Sequence, residues 1–130
     1  MDNVRVLLKA VIMDGNKFLT LRRPADSHSR ANCWDFPGGN LEFGESAGEC
    51  LEREIKEETS LKVKDIRPIH VITALDPKKN IFWVEIGYCA KYSGGKVVLS
   101  SEHSEYKWVT RDEFLKLESA DYLMEFARRV

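Results

Sequence analysis

The stretch from Gly39 to Leu61 reads GNLEFGESAGECLEREIKEETSL and carries seven glutamates, at positions 42, 45, 49, 52, 54, 57 and 58, against one arginine and one lysine. A third of the chain's 21 acidic residues thus falls in 23 positions, in a protein of net charge -1. Ser46 followed by Glu49 is a capping box, which predicts a helix to about Thr59. Ala47, Leu51 and Ile55 form its apolar stripe, which seats the helix on a sheet. Residues three and four apart share a helix face, so Glu54, Glu57 and Glu58 project together on the other side. Glu54 and Glu58 repel, which costs an isolated helix roughly 0.2–0.5 kcal/mol. Glu57 and Glu58 also lie near the C-terminal end, where the helix dipole disfavours anions. Arg53 and Lys56 are expected to point elsewhere or to compensate only in part, so this face asks for an added cation.

The competing reading is a solvated acidic face. Against it, the signs do not interleave along the stripe, and the cluster follows Pro37-Gly38-Gly39, whose bare backbone can lend a carbonyl to the same ion. Several hard carboxylate oxygens on one rigid face favour Mg²⁺ or Mn²⁺ over zinc. Magnesium keeps several waters and is often shared with substrate phosphates. The residues therefore point to a divalent cation site for a phosphorylated ligand.

Working outward, Val4 to Met13 is rich in Val, Leu and Ile and reads as a buried strand. Asp14-Gly15-Asn16 is a turn, and Lys17 to Arg22 alternates as the returning strand. Pro24 to Asn32 is polar and turn-rich, hence a loop. Trp34 to Gly39 is a short aromatic segment ending in a Pro-Gly-Gly turn. Val63 to Leu75 suits one strand or two. Ile81 to Tyr92 places Phe82, Val84, Ile86, Tyr88, Ala90 and Tyr92 on one face at strand period. Ser93 to Lys96 turns the chain, Val97 to Leu99 returns, and Tyr106 to Val109 is a further strand. Arg111 to Leu117 and Asp121 to Arg129 read as helices. This order predicts an α/β (α+β) domain over residues 1–130, with a central mixed sheet between helices.

The 130 residues are 43% hydrophobic and 10% aromatic, enough for one core. Twenty basic residues balance 21 acidic ones, so no bulk charge suggests a nucleic acid polymer as partner. Cys33, Cys50 and Cys89 are an odd set at wide spacing, matching neither a zinc site nor a disulfide framework. That usage fits a reducing cytoplasm. No apolar run is long enough for a membrane span.

The acidic stretch resembles the signature of the Nudix hydrolases at Gly39, Glu45, Arg53-Glu54, Ile55, Glu57-Glu58 and Leu61. The one departure is Ser60 where the family has Gly. That position lies just past the helix, where a left-handed residue often closes the turn, and Ser adopts this at modest cost. The resemblance implies a Nudix α/β/α sandwich, with Glu54, Glu57 and Glu58 as ligands to Mg²⁺, or Mn²⁺ in its place. Glu54 is also a candidate base, and the Gly38 carbonyl completes the site. Glu45 pairs with Arg53 and holds the helix against the loop. Looser similarity in SEHSEYKW, Ser101 to Trp108, makes Glu102 a candidate further ligand or base, with Glu105 behind it; exposed loop charges are the alternative.

Arg22 and Arg23 end the second strand, and alternation turns one of them to the cleft, where a guanidinium suits phosphate oxygens. His28, Arg30 and His103 are weaker candidates for the site. Trp34, Phe36, Phe82 and Trp83 are candidates for stacking on a base, with core packing as the competing role. Asp35 either reads a base or caps a turn. The implied activity is Mg²⁺-dependent hydrolysis of a nucleoside triphosphate to monophosphate and pyrophosphate. The alternatives are cleavage of a nucleoside diphosphate sugar, ADP-ribose or a dinucleoside polyphosphate, and a nucleotide-sensing module that no longer cuts. The family often dimerises, so a homodimer is one expected state.

Overall fold

In the computed structural model, which describes residues 3–130, the first apolar run forms β1 (Asn3–Asp14) and turns through Gly15 into β2 (Lys17–Arg22). Strand alternation assigns its side chains to two layers. Leu8, Ala10 and Ile12 pack with Leu51 and Ile55 of α1 (Ala47–Thr59). Val11 and Met13 face the other way, onto Phe114 of α2 (Arg111–Phe114) and Leu123 and Phe126 of α3 (Asp121–Ala127). The sheet is thus covered on both faces, as expected.

The remaining strands are β3 (Trp34–Asp35), β4 (Gly38–Asn40), β5 (Lys62–Asp76), β6 (Ile81–Gly94) and β7 (Glu105–Val109). The sheet runs β3-β2-β1-β6-β5, with β4 added to β1 and β7 to β2. It is mixed, because β1 and β6 are parallel over Asn3 to Met13 while the other pairs are antiparallel. β1 and β2 pair only at Met13–Phe18 and Asp14–Lys17 and then diverge. The Phe36-Pro37-Gly38 segment enters the opening, where Ala10 N donates to the Pro37 carbonyl at 2.8 Å. That split positions the candidate site.

Some boundaries differ from expectation. Val63 to Leu75 lies within one long strand, broken by register shifts at three places. Val97 to Leu99 is not a returning strand: Val98 N donates to Thr59 O and Ser100 N to Glu58 O, so the segment caps the C-terminal end of α1 instead. The two final helices are shorter than predicted. Among the described residues no helix is long and apolar enough to cross a membrane.

Candidate active site

The box helix starts at Ser46, which accepts a hydrogen bond from Glu49 N at 3.1 Å, but among the described residues Glu49 does not return the bond to Ser46 N, so the expected capping box is only half formed. It ends on Ser60 at φ 66°, whose N–H donates to Lys56 O. A left-handed residue thus stands where the family pattern has Gly. Arg53 grips Glu45 with both arms, Nε to Oε2 at 3.0 Å and Nη2 to Oε1 at 3.1 Å, and donates to Glu54 Oε1 at 2.9 Å. Glu57 lies 3.9 Å from the same guanidinium. Of the two expectations for Arg53, pointing elsewhere is corrected and partial compensation stands: it pairs with Glu54 besides anchoring Glu45.

The three glutamates are buried unequally. Glu58 is 5% exposed, whereas the Glu57 side chain is 57% exposed. Glu58 follows Leu51 by seven residues, two helical turns, so it lies on the edge of the buried stripe. There its Oε2 accepts from Gly38 N at 2.9 Å. Burial pushes its carboxyl up to about 8, against the pull of Lys9 and the Gly38 amide. Burial raises Glu54 as well, with Arg53 opposing.

The glycines of the turn are needed for space. The Glu54 carboxylate sits against Gly39, where a Cβ would meet its Cδ and Oε1 at 2.6 Å. A Cβ on Gly38 would meet the Leu8 carbonyl, which the β1–β4 pairing brings close. Loop 100–103 adds Glu102, whose Oε2 accepts from Ser100 Oγ at 3.3 Å. Its charge acts on both Glu54 and Glu58. Among the described residues the acids do not converge into a preformed group of three ligands, because Glu54 is drawn to Arg53 and Glu58 to the Gly38 amide. The donor set nevertheless fits a hard cation: carboxylates only, crowded, two of them with raised affinity for a proton.

A second layer of charge lies behind this one. Lys9 Nζ is 3.0 Å from Asp35 Oδ1 and donates to the Phe36 carbonyl at 3.2 Å. Burial opposes both charges, but each partner sustains the other: the Lys9 pKa is raised and that of Asp35 lowered. Asp35 also accepts from Phe36 N at 2.7 Å and from Arg23 Nη1 at 3.3 Å. Asp35 therefore caps the turn and pairs two cations. His103 lies near Asp35 and Glu102, with Nδ1 buried and without a partner among the described residues, and burial lowers its pKa.

Of the two arginines, Arg23 reaches this centre. Arg22 instead donates to Asn32 O at 3.0 Å, lies over the Trp34 ring at 5.7 Å and approaches Glu105 at 4.0 Å. The stacking roles expected of Trp34 and Phe36 are corrected. Phe36 is wholly buried and stacks on Phe114 at 4.7 Å. Trp34 is buried too, with Lys107 over its ring. Both rings build the core. Phe82 is exposed and His28 lies on the open loop. Trp83, by contrast, lines a cavity of about 440 Å³ with Leu7, Arg23, Arg30, Glu85 and Tyr122. Sequence reading missed Lys9 and Glu85. The available signal was a single charge inside each of two apolar strands, VLLKAVIM and IFWVEIGY, because an ionised group is buried only with a reason.

The chain is similar to known proteins. An ADP-ribose pyrophosphatase of Methanocaldococcus jannaschii is 29% identical over 114 residues, covering 86% of this chain, which spans 65% of that protein's length. An 8-oxo-dGTP diphosphatase of Escherichia coli is 28% identical over 87 residues, 65% of this chain and 67% of that one. The crystal structure of a MutT protein from Methanosarcina mazei superimposes with a TM-score of 0.81 at 30% identity, covering 98% of this chain and 93% of that one. Residues 4–129 match the NUDIX domain model, and together with the box geometry this makes the chain a member of the Nudix hydrolase family.

Proposed function

We propose that the protein hydrolyses a nucleoside triphosphate in a divalent-metal-dependent reaction, releasing the monophosphate and pyrophosphate. The observation that supports this reading is the pair of carboxylates on one turn, Glu54 against Gly39 and Glu58 on the Gly38 amide, with the charge of Glu102 acting on both, while Arg23, paired with Asp35, lines a cavity. A Mg²⁺ or Mn²⁺ ion held by Glu54, Glu57, Glu58, Glu102 and the Gly38 carbonyl would supply charge neutralisation at the phosphate oxygens and a more acidic water.

The chain's own residues do the rest. Arg53 orients Glu54, and the Gly38 amide orients Glu58. Glu54 or Glu102 takes the proton from the attacking water. Water adds to phosphorus, the anhydride P–O bond breaks, and pyrophosphate leaves with that bond's electron pair. Arg23, held by Asp35 at the cavity, offers the triphosphate a fixed cation. A second reading, cleavage of ADP-ribose or another nucleoside diphosphate derivative, is favoured by the likeness to the archaeal ADP-ribose pyrophosphatase. Three free cysteines suit a cytoplasmic site of action.

Incubation of the protein with nucleoside triphosphates, ADP-ribose and nucleotide sugars, with Mg²⁺ and with Mn²⁺, tests the proposal. Pyrophosphate from a triphosphate is the expected product. Monophosphates from diphosphate compounds alone establish the second reading, and no cleavage of any of them leaves a sensing module. Glu57→Gln is expected to lower turnover by about a thousand-fold or more, with folding intact because the side chain is exposed.

A further inference from the structure

Glu85 is 8% exposed, yet among the described residues no donor is hydrogen-bonded to it. It projects from the middle of β6, opposite Leu7 of β1 and Ile72 of β5. Its carboxylate lines the 440 Å³ cavity and also a neighbouring one of about 410 Å³, which it shares with Tyr122 and Arg30. Trp83, two residues earlier on the same strand face, stands beside it. The charges of Arg30 and Lys9 act on it only from a distance. Its stem is buried, but its carboxylate oxygens open into the cavity, where no protein donor among the described residues meets them, so a ligand's donors can. The walls beside it, Leu7, Trp83 and Tyr122, suit a flat apolar ring.

We propose that Glu85 is the specificity determinant of this cavity and selects a base whose edge offers two adjacent N–H donors, the pattern of a guanine nucleotide. This rests on the cavity being the nucleotide's, as proposed above. A carboxylate accepts but does not donate. The guanine ring N1–H and exocyclic amine satisfy both its oxygens. Adenine and cytosine set one amine beside a bare ring nitrogen, and uracil sets one N–H between two carbonyls, so each gives one bond and at least one repulsion. A site built for paired donors rejects a ligand lacking one of them strongly, because its own group is left unpaired.

Titration calorimetry of the whole protein with GMP, IMP, AMP and UMP reads this without turnover. The expected result is that GMP binds about ten- to a hundred-fold more tightly than the other three. IMP is the informative probe, since it lacks only the amine. Glu85→Gln, whose amide carries one donor and one acceptor, is expected to abolish the preference for GMP over AMP. GMP and IMP binding equally, AMP or UMP matching GMP, or a folded Glu85→Gln that keeps the preference would each overturn the assignment. The IMP comparison decides the matter even if the variant fails to fold. Selective GMP binding without cleavage of any triphosphate would sink the hydrolytic reading alone, whereas cleavage of all triphosphates at equal kcat/KM would sink only this one.

Discussion

Replacing Gly39 by Ala adds one methyl group at the point where the turn meets the box helix. That methyl would lie 2.6 Å from both Cδ and Oε1 of Glu54 and 2.9 Å from Oε2. Carbon contacts are comfortable near 3.5–4.0 Å, so the carboxylate must retreat by roughly 1 Å. It can do so, because it is the end of a flexible side chain. The stability cost is the weakened contact to Arg53, a partly exposed pair worth at most about 1 kcal/mol. For a domain of this size that lowers Tm by about 4 °C. A 1 Å displacement of a catalytic group costs about a hundred-fold in rate. Gly39→Ala is therefore expected to fold, to unfold within a few degrees of the wild type, and to lose about a hundred-fold in kcat. The neighbouring Gly38→Ala is the control. Its methyl would meet the Leu8 backbone carbonyl, which cannot swing aside without disrupting the β1–β4 pairing, so it is expected to lose the fold. Pyrophosphate release at saturating Mg²⁺, beside calorimetric melting, distinguishes the two. A Gly39→Ala variant that turns over within three-fold of wild type would refute the assigned position of Glu54.

Stability without metal should depend on pH through Glu58. Its folded carboxyl titrates at about 8, above the ordinary 4.5, so the folded state holds the proton more tightly than the unfolded chain. The stability it contributes is complete below about pH 4.5 and is lost as pH rises through 8. In EDTA the wild type is expected to fall behind Glu58→Gln in Tm between pH 5 and 8, with Mg²⁺ closing the gap. Parallel melting curves for the two would contradict this. Lys9→Met leaves Asp35 with the partly exposed Arg23 as its remaining cation and is expected to destabilise by about 3–5 kcal/mol in urea unfolding. Lys9→Met combined with Asp35→Leu should recover part of that loss, a non-additivity that a purely packing role for Lys9 does not produce. Arg53→Lys is expected to lower Tm slightly and turnover about ten-fold, since an ammonium cannot grip Glu45 with two arms while holding Glu54.

What could be read from the residues alone was what neighbours in the chain decide. The box helix, its Ser46 cap, the left-handed Ser60 and the hairpin from β1 to β2 follow from spacings of a few residues. So did the two-sided covering of the sheet, which a strand, helix, strand, helix order implies. The tertiary structure decided everything that depends on register between distant segments. It sent Arg23 rather than Arg22 to Asp35, and turned Trp34 and Phe36 into the core. It set Val97 to Leu99 on the end of α1, tucked Glu58 under the Gly38 amide, and closed the Lys9–Asp35 pair across the split between β1 and β2. A one-residue change of strand register moves a side chain to the opposite face, and local sequence does not encode that choice. The folded sheet does, because only there do buried charges have to find each other.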